Sequence, residues 1–412
     1  MATMKAFRSV RPAEALAPAI AALPYDVYNR KEAKGVVSKN PLSFLKIDRA
    51  ETQFPDQTDM YSQAVYDRAA EMLTEMIEEG SFVQEDTACY YIYELTMNGH
   101  VQTGLVGCAA IDDYIDGVIM KHENTREDKE LDRIRHVDTL SAQTGPIFLA
   151  YRANEVIHQI LVKVKKEKAL YDFTAEDGVV HRVWRINDSG DILGIANAFA
   201  GISKMYIADG HHRAASAVKV GLMRREENPG YIGDEEFNYF LSVLFPDDEL
   251  RIFDYNRVVK DLNGSDSSAF LEEIAKNFEV ELIGKDSYAP AQKGEMGLYV
   301  EGNWYKLTMN SRLQSEDPVK GLDVSILQDV ILGPLLGIND PKTDERISFV
   351  GGIRGLKELS DTVDAQGDGV AFSMYPTSMT ELLAVADAGM LMPPKSTWFE
   401  PKLRSGLFIH KF

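Results

Sequence analysis

One apolar, strand-like run that ends in Asp-Gly and passes directly into an alanine-rich run constrains this chain most. It spans Met205 to Ala217 and reads Met-Tyr-Ile-Ala-Asp-Gly-His-His-Arg-Ala-Ala-Ser-Ala. The pattern predicts a strand, a tight turn and a helix. A helix N-terminus binds anions, because its first N–H groups are unpaired and the helix dipole is positive there. Asp-Gly is also an ordinary turn in which Asp caps a helix, so the local pattern alone leaves both interpretations open.

The side chains at this turn favour the anion-binding interpretation. Gly210 would let the backbone approach a bound group, and Arg213 could grip a phosphate with two parallel hydrogen bonds. His211 and His212 add donors or proton-transfer groups near neutral pH, and Asp209 adds a carboxylate. Five such residues in one join predict a phosphate or nucleotide site. The backbone of Gly210 and His211 would form its cradle together with Arg213.

A charged segment, residues 121–138, supplies a second candidate site. Its His122 and Glu123 could provide a general base or a magnesium ligand. Because position 126 is Arg, the segment is not a His-Glu-x-x-His zinc helix. Charge-rich segments are commonly solvated helix faces, and that interpretation stays open here.

Two proline-containing segments carry further candidates. Asp26 lies in a proline-fixed turn, where it caps a helix or serves a site. Lys395, Ser396 and Thr397 follow two prolines in a rigid loop and could bind an anion or form a simple turn. The sequence contains neither a Gly-x-Gly-x-x-Gly fingerprint nor a Gly-x-Ser-x-Gly elbow. A Rossmann dehydrogenase and an α/β-hydrolase are therefore not expected.

The charge balance and the apolar runs limit the classes of partner. A net charge of −20 argues against a broad nucleic-acid surface, which needs a basic stripe, although it allows a small basic pocket. No apolar run approaches the ~20 residues that span a bilayer, and no signal-peptide core follows Arg8 and Arg11. We therefore expect a cytoplasmic protein without a nucleic-acid or membrane partner. Cys89 and Cys108 lie in apolar surroundings and are expected to be buried free thiols.

Strand-like and helical runs alternate along the 412 residues, which predicts an α+β fold of mixed sheets with flanking helices. We expect a helix over 61–79, paired strands over 90–95 and 104–111, a hairpin over 296–308 and an apolar helix over 323–337. Residues 156–165 fit a helix or a strand. The predicted organisation is an α/β region over 1–255, which holds the Asp-Gly-His-His-Arg turn, and a second α/β region over 256–412. The second region would return to the site through its Pro-Pro-Lys-Ser-Thr loop.

Several spaced blocks resemble a large, mostly bacterial family of unknown function whose members are often labelled ParB-like or sporulation-regulator-like. The central block is Asp209 to Arg213, and the others are residues 11–12, 24–27, 40–45, 122–125 and 392–397. More distantly, the central block is similar to the Gly-x-x-Arg phosphate-binding turn of the ParB/sulfiredoxin superfamily, which includes kinases acting on free serine. Histidine stands where sulfiredoxin has its catalytic cysteine, so sulfinate repair is not expected.

The resemblance implies a ParB/sulfiredoxin-like phosphate-binding core. In that core Gly210, His211, His212 and Arg213 would contact nucleotide phosphates, and Asp209 would lie beside the metal or the acceptor hydroxyl. The DNA-binding domain of ParB proteins is not expected, because no basic helix-turn-helix is evident and the net charge opposes one. Fold kinship alone does not fix the chemistry.

We therefore expect a nucleotide-dependent phosphotransferase acting on a small hydroxylated metabolite, with free L-serine the first candidate, ATP or ADP as nucleotide and Mg²⁺ as metal. The catalytic candidates are Asp209, His212, Glu123 and His122, with Asp209 or Glu123 as metal ligand. Two alternatives stay open: a ParB-like nucleotide-binding switch without turnover, and a phosphatase of the phosphoserine type. The expected partners are small molecules, and a homo-oligomer is left open.

Overall fold

The computed structural model describes residues 1–123 and 127–412. It divides into two compact units, which are described separately. The first unit comprises Met1–Leu250 together with Pro401–Phe412, and the second comprises Arg251–Glu400. The end of the chain therefore belongs to the first unit.

The first unit combines short and long helices with strands. Its α-helices are α1 (Ala17–Ile20), α2 (Arg30–Lys39), α3 (Leu45–Asp48), α4 (Gln63–Glu78), α5 (Ile111–Ile115), α6 (Glu127–Leu140), α7 (Glu155–Val164), α8 (Ser189–Ala200) and α9 (His211–Glu227). Its 3₁₀ helices are Glu14–Leu16, Tyr25–Val27, Ala50–Gln53 and Glu236–Asn238. Its strands up to residue 250 are β1 (Met4–Lys5), β2 (Val10–Pro12), β3 (Phe82–Gln84), β4 (Tyr90–Met97), β5 (His100–Ala110), β6 (Ile119–Met120), β7 (Ala142–Gln143), β8 (Ile147–Tyr151), β9 (Tyr171–Thr174), β10 (Val180–Ile186), β11 (Met205–Asp209) and β12 (Tyr239–Pro246).

The main sheet of the first unit is mixed. Its strand order is β6-β11-β8-β12-β5-β4-β10-β9, with β1 paired to β5. Strand β11 runs parallel to β6 and antiparallel to β8, while β12 runs parallel to β8 and antiparallel to β5. Strand β8 is buried along its whole length. Apolar side chains of α7, α8 and α9 share one core with this sheet.

A second apolar cluster lies among α2, α3 and α4, with Phe44 and Phe82 in edge-to-face contact inside it. The C-terminal strand β21 (His410–Lys411) pairs with β7, and Ile409 joins this cluster. The C-terminal segment is therefore part of the core of the first unit.

The second unit is a smaller α+β unit. Its strands are β13 (Ile252–Phe253), β14 (Tyr255–Val259), β15 (Phe278–Gly284), β16 (Glu295–Val300), β17 (Asn303–Met309), β18 (Ile347–Gly351), β19 (Val370–Met374) and β20 (Trp398–Phe399). Its helices are α10 (Ser267–Ala275), α11 (Asp323–Leu327), α12 (Lys357–Gln366) and α13 (Met379–Asp387), with a π-helical turn at Gln328–Leu332 and 3₁₀ helices at Ser311–Leu313 and Gly352–Arg354. Its antiparallel sheet has the order β15-β17-β16-β19-β14-β18, and β13 pairs with β20.

The predicted α+β class with mixed sheets and flanking helices is confirmed. The segment that fitted either a helix or a strand forms α7, because the Asn154 side chain accepts from the N–H groups of Val156 and Ile157 and caps the helix. The predicted helix over 323–337 is shorter and irregular, since α11 passes into the π-helical turn. Cys89 and Cys108 are buried and free, as predicted. Within the described ranges, no helix has both the length and the apolar character that a bilayer crossing requires.

Candidate functional site

The turn between β11 and α9 has the predicted strand–turn–helix geometry. Strand β11 ends at Asp209, Gly210 caps the helix, and α9 begins at His211. Gly210 has φ 92° and ψ 32°, in the left-handed region that favours glycine. A Cβ atom at this position would lie 3.1 Å from two nitrogens of the Arg213 guanidinium. The backbone conformation therefore favours glycine, and a Cβ here would push the Arg213 guanidinium by a few tenths of an ångström.

Asp209 is an ionised carboxylate between two cations. Its Oδ1 accepts from the Gly210 N–H at 2.8 Å. Its Oδ2 lies 3.4 Å from Lys402 Nζ and 3.8 Å from Arg213 Nη2. Desolvation favours the neutral acid, but the charges of Lys402 and Arg213 outweigh it and hold the pKa of Asp209 well below its usual range.

Arg213 is fixed by its surroundings. Its Nη1 donates to the Pro146 carbonyl at 2.5 Å, and its side chain is only 15% exposed. Gly145 lies against the same guanidinium, since a Cβ there would be 3.5 Å from Nη1 and 3.1 Å from Ser405 Oγ. The guanidinium is thereby oriented beside the N-terminus of α9.

Two buried histidines stand behind the turn. The rings of His122 and His211 meet edge to face, with centroids 4.5 Å apart. Burial lowers the pKa of His122 to about 4, and burial together with the neighbouring His122 holds the pKa of His211 well below its usual value. Both rings are therefore neutral at pH 7. Within residues 1–123 and 127–412, His211 Nε2 is buried without a hydrogen-bond partner, which suits a ligand group.

Two adjoining cavities lie in the first unit. The larger has a volume of about 330 Å³ and the smaller about 30 Å³. Four residues line both: Tyr25, Asp48, Arg133 and His136. Arg213 lines the smaller cavity and Asp26 the larger. The structure thus connects the central turn with the Pro-Tyr-Asp segment, which the sequence had marked separately.

The wall shared by the two cavities is polar but internally paired. The Arg133 guanidinium lies 4.0 Å over the Tyr25 ring and donates to Asp132 Oδ2 through Nε at 3.0 Å. Thr144 Oγ1 donates to Asp48 Oδ1 at 2.8 Å. Burial raises the pKa of Tyr25 to about 12 although Arg133 opposes the shift, so the phenol stays protonated.

Glu123 and His212 lie close in sequence to the residues above. Glu123 is half-buried at the end of the first described range, and Asn124 and Thr125 of the same block lie outside the described residues. His212 lies in the first turn of α9, where its carbonyl accepts from Ser216 Oγ at 2.7 Å. Within the described part of the chain, no three His, Cys, Asp or Glu side chains group to hold a metal. The assignment of Asp209 and Glu123 as magnesium ligands stays a prediction.

The predicted phosphate-binding residues Lys395, Ser396 and Thr397 lie in the second unit. Lys395 has φ 61°, and its carbonyl accepts from Arg257 Nη2 at 3.0 Å. Ser396 Oγ donates to the Pro393 carbonyl at 2.6 Å. These bonds define a rigid loop, and its role in nucleotide binding stays a prediction.

Residues 4–325 match the model of the family described as "Protein of unknown function (DUF1015)". The chain belongs to this family. The resemblance to a family of unknown function is thereby confirmed, whereas the link to ParB and sulfiredoxin stays a resemblance. No curated protein matches the sequence.

Three solved structures are similar over about three quarters of the chain. SbnI with C-terminal truncation from Staphylococcus aureus has 11% identity and a TM-score of 0.39, and the match covers 73% of this chain and 85% of that one. A free serine kinase in complex with AMP has 17% identity and a TM-score of 0.33, and the match covers 74% of this chain and 91% of that one. A conserved hypothetical protein from Pyrococcus furiosus has 16% identity and a TM-score of 0.34, and the match covers 74% of this chain and 94% of that one. Identities and TM-scores this low do not assign a function to the chain.

Lys402 is a residue of the site that the sequence did not indicate. It lies 193 residues after Asp209 and beyond the residues that match the family model. Its neighbours Pro401 and Leu403 form no recognisable motif with it. Only the return of the chain to the first unit places it at the turn.

Proposed function

We propose that this protein is a nucleotide-dependent phosphotransferase acting on a small hydroxylated metabolite, with free L-serine the first acceptor to test. The observation that carries the proposal is the turn at Gly210. There the N-terminus of a 17-residue helix, Arg213 and Lys402 surround one ionised carboxylate. Helix N-termini and cations of this kind stabilise the charge of phosphates.

The donors at the turn suit the phosphates of ATP or ADP. The N–H groups in the first turn of a helix point out of its N-terminus, and a phosphate could accept from those of α9. Arg213 would add a two-pronged contact, and His211 Nε2 a further polar group. His122 packs against His211 and is best placed to orient that ring.

Mg²⁺ fits this site as an ion carried mainly by the nucleotide. Mg²⁺ commonly keeps several waters and takes one or two carboxylates plus phosphate oxygens. Asp209 is ionised, and Glu123 is the second candidate ligand. When bound, the ion would neutralise the charge that develops on the transferred phosphoryl group.

The larger cavity is the proposed acceptor site. Its volume of about 330 Å³ is at the lower end of the range for small-molecule pockets, which suits a small metabolite. Carboxylates and cations both line it, among them Asp26 and Lys129, and such a lining matches a zwitterionic amino acid. Asp26 is exposed and lies next to Tyr25, which lines both cavities.

Asp26 is the better candidate for orienting the acceptor hydroxyl. Both carboxylate oxygens of Asp209 already face the Gly210 N–H or the two cations. In phosphoryl transfer the carboxylate mainly positions the attacking hydroxyl, so a strong base is not required. We therefore propose that Asp209 pairs with the two cations and helps to bind the metal, whereas Asp26 orients the acceptor hydroxyl. His212 would assist by contacting the phosphates.

The experiment is a phosphoserine assay with ATP or ADP, Mg²⁺ and L-serine, alongside calorimetric nucleotide titrations. Arg213→Ala should weaken nucleotide binding by about 10- to 100-fold, because a charge-assisted hydrogen bond contributes about 1.5–3 kcal/mol. Asp26→Asn should lower turnover while leaving nucleotide affinity within about twofold. Nucleotide binding without any product would favour the ParB-like switch. Phosphoserine hydrolysis without nucleotide would favour the phosphatase, and normal phosphate binding by Arg213→Ala would refute the site itself.

A further inference from the structure

The segment Pro401–Phe412 brings a lysine to the central turn. Lys402 Nζ lies 3.4 Å from Asp209 Oδ2, and the lysine side chain is only 17% exposed. The segment is anchored close by, because Ser405 and Ala22 exchange backbone hydrogen bonds of 2.8 and 3.1 Å. Leu403 and Leu407 are buried in the first unit. Lys402 is therefore held at the turn by a fixed backbone.

We propose that Lys402 is a phosphate-binding residue of this site, which contacts the terminal phosphates of the ligand. The inference rests on the proposed function, since it names a further residue of the same nucleotide site. It assigns a ligand contact to a part of the chain beyond residues 4–325, which match the family model.

The distances at Asp209 support this role. A tight ammonium–carboxylate hydrogen bond is about 2.7–2.9 Å long. The contacts of Asp209 Oδ2 with Lys402 and with Arg213, at 3.4 and 3.8 Å, are both longer. The flexible four-carbon stem of lysine would let the ammonium turn from Asp209 Oδ2 towards a phosphate oxygen. Asp209 would stay bonded to the Gly210 N–H.

The position of Lys402 also matches the charge that a nucleotide presents. A triphosphate carries more charge than one guanidinium and one helix terminus can balance. Two cations beside Asp209 at the start of α9 can contact different phosphates of one chain. The contribution of Lys402 should therefore grow with the number of phosphates in the ligand.

The test compares the affinity of AMP, ADP and ATP for the full chain and its variants by calorimetry. Lys402→Met should weaken ATP binding at least about tenfold and AMP binding less, in line with the loss of one charge-assisted contact. Lys402→Arg should recover part of the affinity. Lys411→Met is the matched control, because Lys411 is an exposed lysine in the same segment, and it should bind as the wild type does.

A second variant separates ligand contact from mere neutralisation of Asp209. ATP affinity is measured here without Mg²⁺, so that loss of the Asp209 carboxylate does not act through the metal. If Lys402 only offsets the Asp209 charge, the double variant Asp209→Asn, Lys402→Met should bind ATP as the single variant Asp209→Asn does. If Lys402 contacts phosphate, the melting temperature of the double variant recovers while its ATP affinity stays below that of Asp209→Asn. Wild-type ATP affinity in Lys402→Met, with Arg213→Ala impaired, would overturn the Lys402 assignment alone. No nucleotide binding by the wild type would overturn the proposed function and this inference with it.

Discussion

Gly210 meets two requirements at once, a left-handed backbone and room for the Arg213 guanidinium. Gly210→Ala should lower the free energy of unfolding by about 1–2 kcal/mol, because a left-handed conformation strains a residue with a Cβ. It should also weaken nucleotide binding, since the new Cβ would lie 3.1 Å from the guanidinium and shift it by a few tenths of an ångström. Denaturant unfolding and nucleotide titration measure the two effects separately.

Gly80→Ala is the matched control for that substitution. Gly80 has φ 77°, but no atom lies within 4 Å of the position of its Cβ. It should therefore show a similar loss of stability with unchanged nucleotide affinity. Equal nucleotide affinity in the two alanine variants would contradict the role given to the contact between Gly210 and Arg213.

At the scale of elements, α9 is held in place by a close backbone approach. A Cβ at Gly221 would lie 2.5 Å from the Phe237 carbonyl oxygen and 2.8 Å from the Ile111 side chain. Gly221→Ala should therefore destabilise the protein by about 1–3 kcal/mol, although alanine is the better helix former. Thermal or urea unfolding measures the change. Gly35→Ala is the control within α2, where nothing lies within 4 Å, and it should stabilise the protein by about 0.5–1 kcal/mol. Stabilisation by Gly221→Ala as well would contradict the close backbone approach at α9.

The sequence predicts well those secondary-structure elements that are determined by residues adjacent in the chain. The strands around Asn98-Gly99 form the expected hairpin, because both turn residues adopt positive φ, 51° and 78°. The strand, the turn at Gly210 and the helix also follow from adjacent residues. The sequence does not predict the π-helical turn at residues 328–332, because an apolar run does not reveal which carbonyl each N–H will bond to.

The contacts that complete the site are long-range, and for that reason the sequence did not indicate them. Lys402 reaches Asp209 across 193 residues, and Arg213 bonds to the Pro146 carbonyl across 67. The sequence places Asp26 in a proline-fixed turn, but its cavity is formed by segments from α3, α4 and α6. Only the packing of these helices against one another creates that space.

At the scale of the whole molecule, the titrating groups divide unequally between the two units. The eight histidines of the sequence all fall within the first unit, and none falls within 251–400. Burial lowers the pKa of His181 to about 3, with Arg404 adding to the effect. Burial and Arg133 likewise lower the pKa of His136 to about 4. In the second unit, burial raises the pKa of Asp323 to about 6.

These shifts act on stability with opposite signs. An unfolded histidine binds a proton below about pH 6.5, whereas His136 and His181 in the folded state do not until pH 4 or lower. The first unit should therefore lose stability as the pH falls below 6.5. Folded Asp323 binds its proton near pH 6 and the unfolded carboxyl only near pH 4, so its contribution to the second unit should increase over the same interval.

Hydrogen exchange at pH 7 and pH 5.5, corrected for the intrinsic exchange rates, can follow both units in one sample. Protection of β8 and β10 in the first unit should decrease, by up to about 1.4 kcal/mol per pH unit for each buried histidine. Protection of β16 and α11 in the second unit should increase or stay unchanged between pH 7 and pH 5.5. Asp323→Asn should abolish the response of the second unit and leave that of the first unchanged, because an amide does not titrate. A parallel loss of protection in both units would contradict this assignment, since the second unit contains no histidine to cause it.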